Sequence, residues 1–249
     1  AALPADEVWI MTDVNGVMSA DPRMVPQAHT IPRLTYREVA ELAYFGAKVL
    51  HPKTIRPVVE AGIALRIANT FEPQHEGTWV VANGPTAEEG RIKAVTLIRD
   101  VRLVTIEGRG MLGVPGVAGR AFSAVAALGV SVTLISQASS EQSICFTVPA
   151  DSCQQVVEAL KEAFAAEIAR RDIDRVWAGE PVVILTVVGA GMRHTPGIAG
   201  RIFTALGQAA INVVAIAQGA SEVSISLVIA EEDARDALLA VHALTAKTS

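Results

Sequence analysis

The strongest constraint on this chain is an internal duplication. Gly108-Arg109-Gly110-Met111 leads to Pro115-Gly116-Val117-Ala118-Gly119-Arg120-Ala121-Phe122, and Gly189-Ala190-Gly191-Met192 leads to Pro196-Gly197-Ile198-Ala199-Gly200-Arg201-Ile202-Phe203, an offset of 81 residues. The same offset carries Ile135 to Ile216, Gln137 to Gln218 and Ser143-Ile144 to Ser224-Ile225. A period this long, present twice, implies paired domains and not a solenoid.

Each copy predicts the same unit. Arg102–Glu107 and Val182–Val188 are β-rich apolar runs. Pro115-Gly116 and Pro196-Gly197 mark helix entrances, where the missing proline N–H costs nothing. Val117, Phe122 and Val125, and likewise Ile198, Phe203 and Leu206, then recur at near-helical spacing. Strands are expected around Ser131–Ser136 and Ser143–Val148, and around Asn212–Ala217 and Ser224–Ile229, with second helices beginning near Asp151, a candidate N-cap, and Asp233. The first copy closes with a strand near Arg175–Gly179. Strand–helix–strand–strand–helix is the ferredoxin-like unit. The second copy has no room for a closing strand, so the β-rich Arg91–Leu97 is expected to supply it. The division expected is then 1–90, 101–180, and 91–100 together with 181–249, the first module lying within the second.

Composition narrows the function. Of the 249 residues 51% are hydrophobic and 19% charged, which is globular, while aromatics at 4% leave the core to Ala, Val, Ile and Leu. A net charge of −5 argues against a nucleic-acid partner. No apolar run is long enough for a membrane span and no signal-like segment opens the chain, so no membrane association and a cytoplasmic location are expected. Cys145 and Cys153 make no disulfide framework, and histidines 29, 51, 75, 194 and 242 show no zinc-ligand spacing, so no metal site is expected.

The glycine-rich turns lack both G-x-G-x-x-G spacing and a Gly-Lys-Ser/Thr phosphate loop. Each glycine alone can serve a tight turn, and each glutamine can be a solvated strand end. Their pairing suggests more. A helix entrance offers unpaired N–H groups and a positive dipole end to a carboxylate, and Gln137 or Gln218 adds a neutral donor and acceptor nearby. The candidate effector residues are Gly116, Val117, Ala118, Val132 and Gln137 in the first copy, and Gly197, Ile198, Ala199, Asn212 and Gln218 in the second.

The first ninety residues read as α/β material. Val8–Met11 is a strand pattern running into polar Thr12-Asp13-Val14-Asn15-Gly16, the place where open α/β sheets bind ligands. Tyr36–Val49 has helical spacing with Val39, Leu42 and Ala43 on one face and Thr35 as its cap; Thr54–Ala61 reads as a helix and Leu65–Ala68 as a strand. Asp13, Arg23 and Lys48 can be surface charges or nucleotide contacts, the cations neutralising phosphates.

Both copies resemble ACT domains, the small-molecule sensing modules of amino-acid metabolism. Ile135-Ser136-Gln137-Ala138-Ser139-Ser140-Glu141 and Ile216-Ala217-Gln218-Gly219-Ala220-Ser221-Glu222 resemble the threonine-sensitive branch of the aspartate kinases, which includes forms fused to homoserine dehydrogenase. Thr12-Asp13-Val14-Asn15-Gly16-Val17-Met18-Ser19-Ala20-Asp21-Pro22-Arg23 and Phe45-Gly46-Ala47-Lys48-Val49-Leu50-His51-Pro52 are similar to the nucleotide side of the same family, in the amino-acid kinase fold. The resemblance implies the carboxy-terminal portion of that α/β fold followed by two interlocked ferredoxin-like modules. It implies that Thr12 and Asp13 meet the nucleoside and Arg23 and Lys48 its phosphates, with ATP and Mg²⁺ serving the whole enzyme and none bound to this chain alone. The sequence departs from the family at Asn15, usually Asp, and at Met18, commonly Tyr. The family's Lys-Phe-Gly-Gly-Thr-Ser stretch is absent, so a catalytically inactive fragment or regulatory chain is expected, because phosphoryl transfer depends on positioning and charge stabilisation. The resemblance further implies feedback by threonine, or secondarily lysine, and a homodimer through the ACT-like region. The alternatives are a non-catalytic regulatory subunit, part of a bifunctional aspartate kinase/homoserine dehydrogenase, or modules serving assembly alone.

Overall fold

A computed structural model describes residues 5–44, 52–82, 90–112, 114–137, 142–192, 194–218 and 223–245. The amino-terminal part holds a four-stranded sheet in the order β1-β3-β4-β2. Strands β1 (Glu7–Thr12) and β3 (Ala64–Asn69) run parallel, which brings Thr12 beside Asn69 at their carboxyl ends. Strand β4 (Thr78–Val81) runs antiparallel to β3 and parallel to β2 (Arg33–Thr35). Helices α1 (Tyr36–Tyr44) and α2 (Pro52–Glu60) cover one face, and Leu34, Val39, Leu42, Ile55, Leu65, Ile67 and Val80 form the core beneath them. The expected run of α1 to Val49 passes into 45–51, outside the described residues. Thr35 does cap α1, and reciprocally: Glu38 N–H donates to Thr35 Oγ1 (3.3 Å) while Thr35 N–H donates to Glu38 Oε2 (2.7 Å), a capping box.

The remainder is a six-stranded sheet, β6-β7-β5-β8-β10-β9. Its axis is two strands of 14 residues, β5 (Ala94–Glu107) and β8 (Arg175–Val188), paired antiparallel. The carboxyl half of β5 also pairs with β7 (Ser143–Pro149), which pairs with β6 (Ile135–Gln137); helices α3 (Val117–Ala127), α4 (Cys153–Ala163) and α5 (Ala165–Arg170) complete this unit. The carboxyl half of β8 also pairs with β10 (Ser224–Ala230), which pairs with β9 (Val213–Ala217), accompanied by α6 (Ile198–Gln208) and α7 (Ala234–His242). Ala94–Ile98 lies opposite Ile184–Val188, beside that second group. The sequence reads four separate strand segments here; the structure fuses them into two strands. The join is irregular, with ladder register shifts between Ile98 and Val101 and between Arg102 and Val104, Asp100 at φ 58°, and Pro181 opposite Arg102. A proline cannot donate to a ladder, so it is tolerated at such an irregularity.

Alternation along the shared strands sorts the cores. Val104 and Ile106 face the helices of the first unit, while Val183, Leu185 and Val187 face those of the second. Their neighbours Val101, Leu103, Val182 and Ile184 point the other way and join Leu134, Ala215 and Val228 in a cluster drawn from both units, with β6 lying against β9. Two expectations are corrected. Asp151 does not cap α4: it lies in a short 3₁₀ turn, the N-cap position falls to Ser152, and Asp151 Oδ1 accepts from the Ser152 hydroxyl instead (2.9 Å). The strand expected from Ser131 begins as a regular strand only at Ile135, because Thr133 and Leu134 both lie opposite Thr147: its carbonyl accepts from Thr133 N–H (3.1 Å), its N–H donates to Leu134 C=O (3.0 Å), and Leu134 N–H turns to its hydroxyl (3.0 Å), an irregularity of two residues against one.

Polar contacts tie the first part to the second unit. Buried Glu38 faces Lys93 at 3.2 Å, with side chains 0% and 8% exposed. The Ser224 hydroxyl donates to Glu41 (2.8 Å). Buried Ser19 sits between His242 Nε2 on α7 (2.8 Å) and His29 Nδ1 (3.2 Å), and its carbonyl accepts from Val95 N–H of β5. Removing one member of a buried ion pair strands the other charge. Glu38→Gln, which keeps an acceptor for the cap, should therefore destabilise the chain by about 3–5 kcal/mol in urea unfolding, with Lys93→Met in the same chain recovering part of the loss. Burial, and secondarily the neighbouring His29, hold His242 below the ordinary histidine value of 6.5. The unfolded chain thus takes up the proton first. Stability should be full above that value and fall as pH drops through it toward the folded value, and melting curves across mildly acidic pH should lose part of this dependence in His242→Phe.

Candidate functional site

The first repeat builds a cleft of about 340 Å³ between the entrance of α3 and the end of β6, bordered by Met111, Val114, Pro115, Gly116, Val117, Ala118, Gln137 and Ile144. Gly116 sits at φ 89°, ψ −1°, a left-handed conformation at the N-cap that turns the chain sharply into α3. Helix geometry leaves the N–H groups of Val117 to Gly119 without intrahelical acceptors, while Gly116 C=O is taken by Arg120 N–H (3.0 Å). Gln137 is exposed at the end of β6, opposite Ile144 of β7, with its amide available. Four of the five residues expected together in this copy, Gly116, Val117, Ala118 and Gln137, border one cleft. Val132 instead packs against the helix-side core. Met111, Val114, Pro115 and Ile144 were missed as lining residues; the signal for three of them was the repeat itself, since Met111, Pro115 and Ile144 recur as Met192, Pro196 and Ile225.

The second entrance has the same backbone. Gly197 stands at φ 88°, ψ −7°, and Arg201 N–H donates to its carbonyl (3.0 Å). Ile198 is buried, whereas Ala199, Asn212 and Gln218 are exposed. The surroundings differ: Gly90 packs so closely on Thr195, the counterpart of Val114, that a Cβ there would lie 2.4 Å from Thr195 Oγ1.

In the amino-terminal part Thr12 ends β1 and donates to Asp13 Oδ1 (3.0 Å). Arg23 is engaged by Asp21: its Nε and NH2 reach the two carboxylate oxygens at 3.0 and 2.7 Å, and this pairing lowers the Asp21 carboxyl below its ordinary range. Lys48 lies outside the described residues. A bridge unseen in the sequence joins the two parallel strand ends: Asn69 Nδ2 donates to Asn15 Oδ1 (2.6 Å), and Asn15 Nδ2 to Glu72 Oε2 (2.9 Å). An aspartate at position 15 would set a second carboxylate against Glu72, so the departure from the family residue is matched by its neighbour. Among the described residues no group of three or more His, Cys, Asp or Glu is placed to hold a metal ion, and no helix is long and apolar enough to cross a membrane. Burial pushes both cysteine thiols up, away from thiolate chemistry.

The ACT domain model matches residues 104–164 and 185–244, and the amino acid kinase family model matches residues 1–69. The bifunctional aspartokinase/homoserine dehydrogenase of Haemophilus influenzae is 43% identical over 242 residues, covering 97% of this chain and 30% of that protein. The chain joins part of an amino acid kinase domain to tandem ACT domains, as aspartate kinases do. Among solved structures, the Clostridium acetobutylicum aspartate kinase superposes with a TM-score of 0.87 at 28% identity, over 97% of this chain and 55% of that one. E. coli aspartokinase III in complex with lysine and aspartate superposes at 0.75 and 28% identity, over 96% and 52%. The chain thus spans about a third of the bifunctional relative and about half of the solved aspartate kinases. In this chain the cleft lies in the first ACT module, and its backbone is the feature most open to test. Gly116→Ala should cost about 1–2 kcal/mol for the left-handed φ alone, since no atom obstructs a Cβ there. Gly119→Ala, inside α3, should instead stabilise by about 0.5–1 kcal/mol in the same thermal unfolding measurement.

Proposed function

We propose that this portion of an aspartate kinase senses threonine through its ACT modules, in a protein that phosphorylates L-aspartate with ATP to give 4-phospho-L-aspartate. The observation that carries the reading is the convergence of a helix entrance and a free glutamine amide on one cleft of amino-acid size. The carboxylate is held by the N–H groups around Gly116–Ala118, and Gln137 reads the polar groups of the effector. Gly197–Ala199 and Gln218 form the equivalent site, with Val132 and Asn212 supporting the strands beside the two entrances. Lysine is the second choice, supported by the lysine complex of the E. coli neighbour.

Thr12, Asp13, Arg23 and Lys48 contribute the nucleotide side. Mg²⁺ is bound largely through phosphate oxygens and water with one or two carboxylates, which fits a region that holds exposed Asp13, with Glu72 engaged by Asn15 and Asp21 by Arg23. The modules divide as 101–180, and 91–100 with 181–249, behind the kinase portion 1–90. The chain pairs with a second copy through the ACT region, where the short edge strands β6 and β9 leave Ile135, Val214 and Ile216 about half exposed. Fusion to a homoserine dehydrogenase is supported by the similarity to bifunctional relatives; a regulatory subunit without catalytic function is the competing reading.

Feedback needs an effector that binds two kinase states with different affinity, typically about 1–3 kcal/mol of coupling. Calorimetry with threonine, lysine, methionine and leucine tests the assignment. Threonine should bind the parent chain, and Gln137→Ala should weaken it by about 0.5–3 kcal/mol. No binding by the parent removes threonine as effector. Equal binding by the parent, Gln137→Ala and Gln218→Ala leaves the effector but removes the glutamine pocket.

A further inference from the structure

A second cleft, of about 430 Å³, opens where the kinase portion meets the segment leading into β5. Its charge is opposite to that of the chain, which carries a net −5. Arg33, Arg66, Arg91 and Lys93 border it, with Glu76 the single carboxylate among the described residues of its walls. The Lys93 charge is answered from behind by Glu38, and that ammonium is fixed in place, buried and also donating to the Arg33 carbonyl (3.3 Å). Three guanidiniums less one carboxylate leave two positive charges. Arg66 is held rigidly, stacked 4.5 Å from the Trp9 ring and 5.4 Å from Trp79, with Nε on the Glu76 carbonyl (2.8 Å). Arg33 and Arg91 are exposed, and among the described residues neither is paired with a carboxylate. They come from different parts of the chain, one from the start of β2 and one from the segment before β5.

We propose that this junction cleft binds a small phosphate-bearing anion that bridges the kinase portion and the regulatory modules. Two uncompensated charges match the roughly −1.5 to −2 of a phosphate monoester at neutral pH. Guanidiniums arriving from separate segments suit a tetrahedral group whose oxygens accept from several directions, more than a planar carboxylate served by one fork. His29 at the rim adds a ring nitrogen, and the Trp79 face gives the rest of the molecule an apolar wall. Thr12, Asp13 and Arg23 do not border the cleft, so the site is separate from these three proposed nucleotide contacts. It is also independent of the effector reading, since it shares no residue with the cleft at Gln137.

The test is titration of the 249-residue chain with inorganic phosphate, followed by calorimetry and thermal shift, against sodium chloride of matched ionic strength and against succinate. Saturable binding is expected, weakened about tenfold or more in Arg33→Gln and in Arg91→Gln and unchanged in Arg23→Gln. Both arginines are exposed, so the variants should keep the parent far-UV circular dichroism; a variant that does not is replaced by the lysine substitution, which should retain partial binding. A shift no larger than that of sodium chloride overturns the proposal, as does equal binding by all variants. Loss of binding in Arg23→Gln alone assigns the anion to the nucleotide side and also overturns it. Succinate binding as tightly as phosphate overturns the phosphate class.

Discussion

The ladder between β5 and β8 organises this molecule. Each strand is 14 residues long, and each serves two groups of elements at once: β5 turns toward β7 along its carboxyl half, and β8 toward β10 along its own. A residue on one strand points alternately to a helix-covered face and to the cluster where the two units meet, so a slip by one position would expose both cores together. That coupling explains why the irregularities gather near Asp100 and Pro181, midway along the pair, where the partners change. Each half of the ladder keeps the register its own core demands.

The kinase portion leans on the same strands. Lys93, just before β5, is clamped by Glu38 of the α1 cap, and Ser19 receives Val95 N–H while its hydroxyl meets His242 of α7. These contacts are buried or partly buried and polar, and they join segments far apart in the chain. Buried polar contacts of this kind add little net stability compared with an apolar replacement, yet breaking one side is costly, because the stranded partner stays desolvated. A junction built this way holds one arrangement and penalises intermediate ones.

The duplicated entrances show how one backbone can carry two environments. Gly116 and Gly197 adopt nearly the same left-handed angles and start helices of the same length. The first opens on a cleft with Gln137, whereas beside the second Gly90 packs on Thr195. Duplication preserved the turn, which is set by glycine, and left the walls to be set by whatever passes nearby.

Much of this was legible in the residues because the determinants are local. The 81-residue offset, the Pro-Gly entrances, the strand periodicity and the Thr35–Glu38 spacing act within a turn or a strand, and the strings around Thr12 and Gln137 are enough to indicate the family. What tertiary structure alone decided involves partners distant in sequence. The fusion of four strand segments into two depends on a shared ladder, and the late start of β6 on the irregular pairing with Thr147. The Asn15–Asn69–Glu72 bridge, the hydrogen bonds of Ser19 to His29 and His242, and the basic junction cleft depend on segments distant in sequence that meet only when separate elements pack. Periodicity reports which face of an element is buried; it carries no record of which charge will stand opposite, because that is fixed only when separate elements pack.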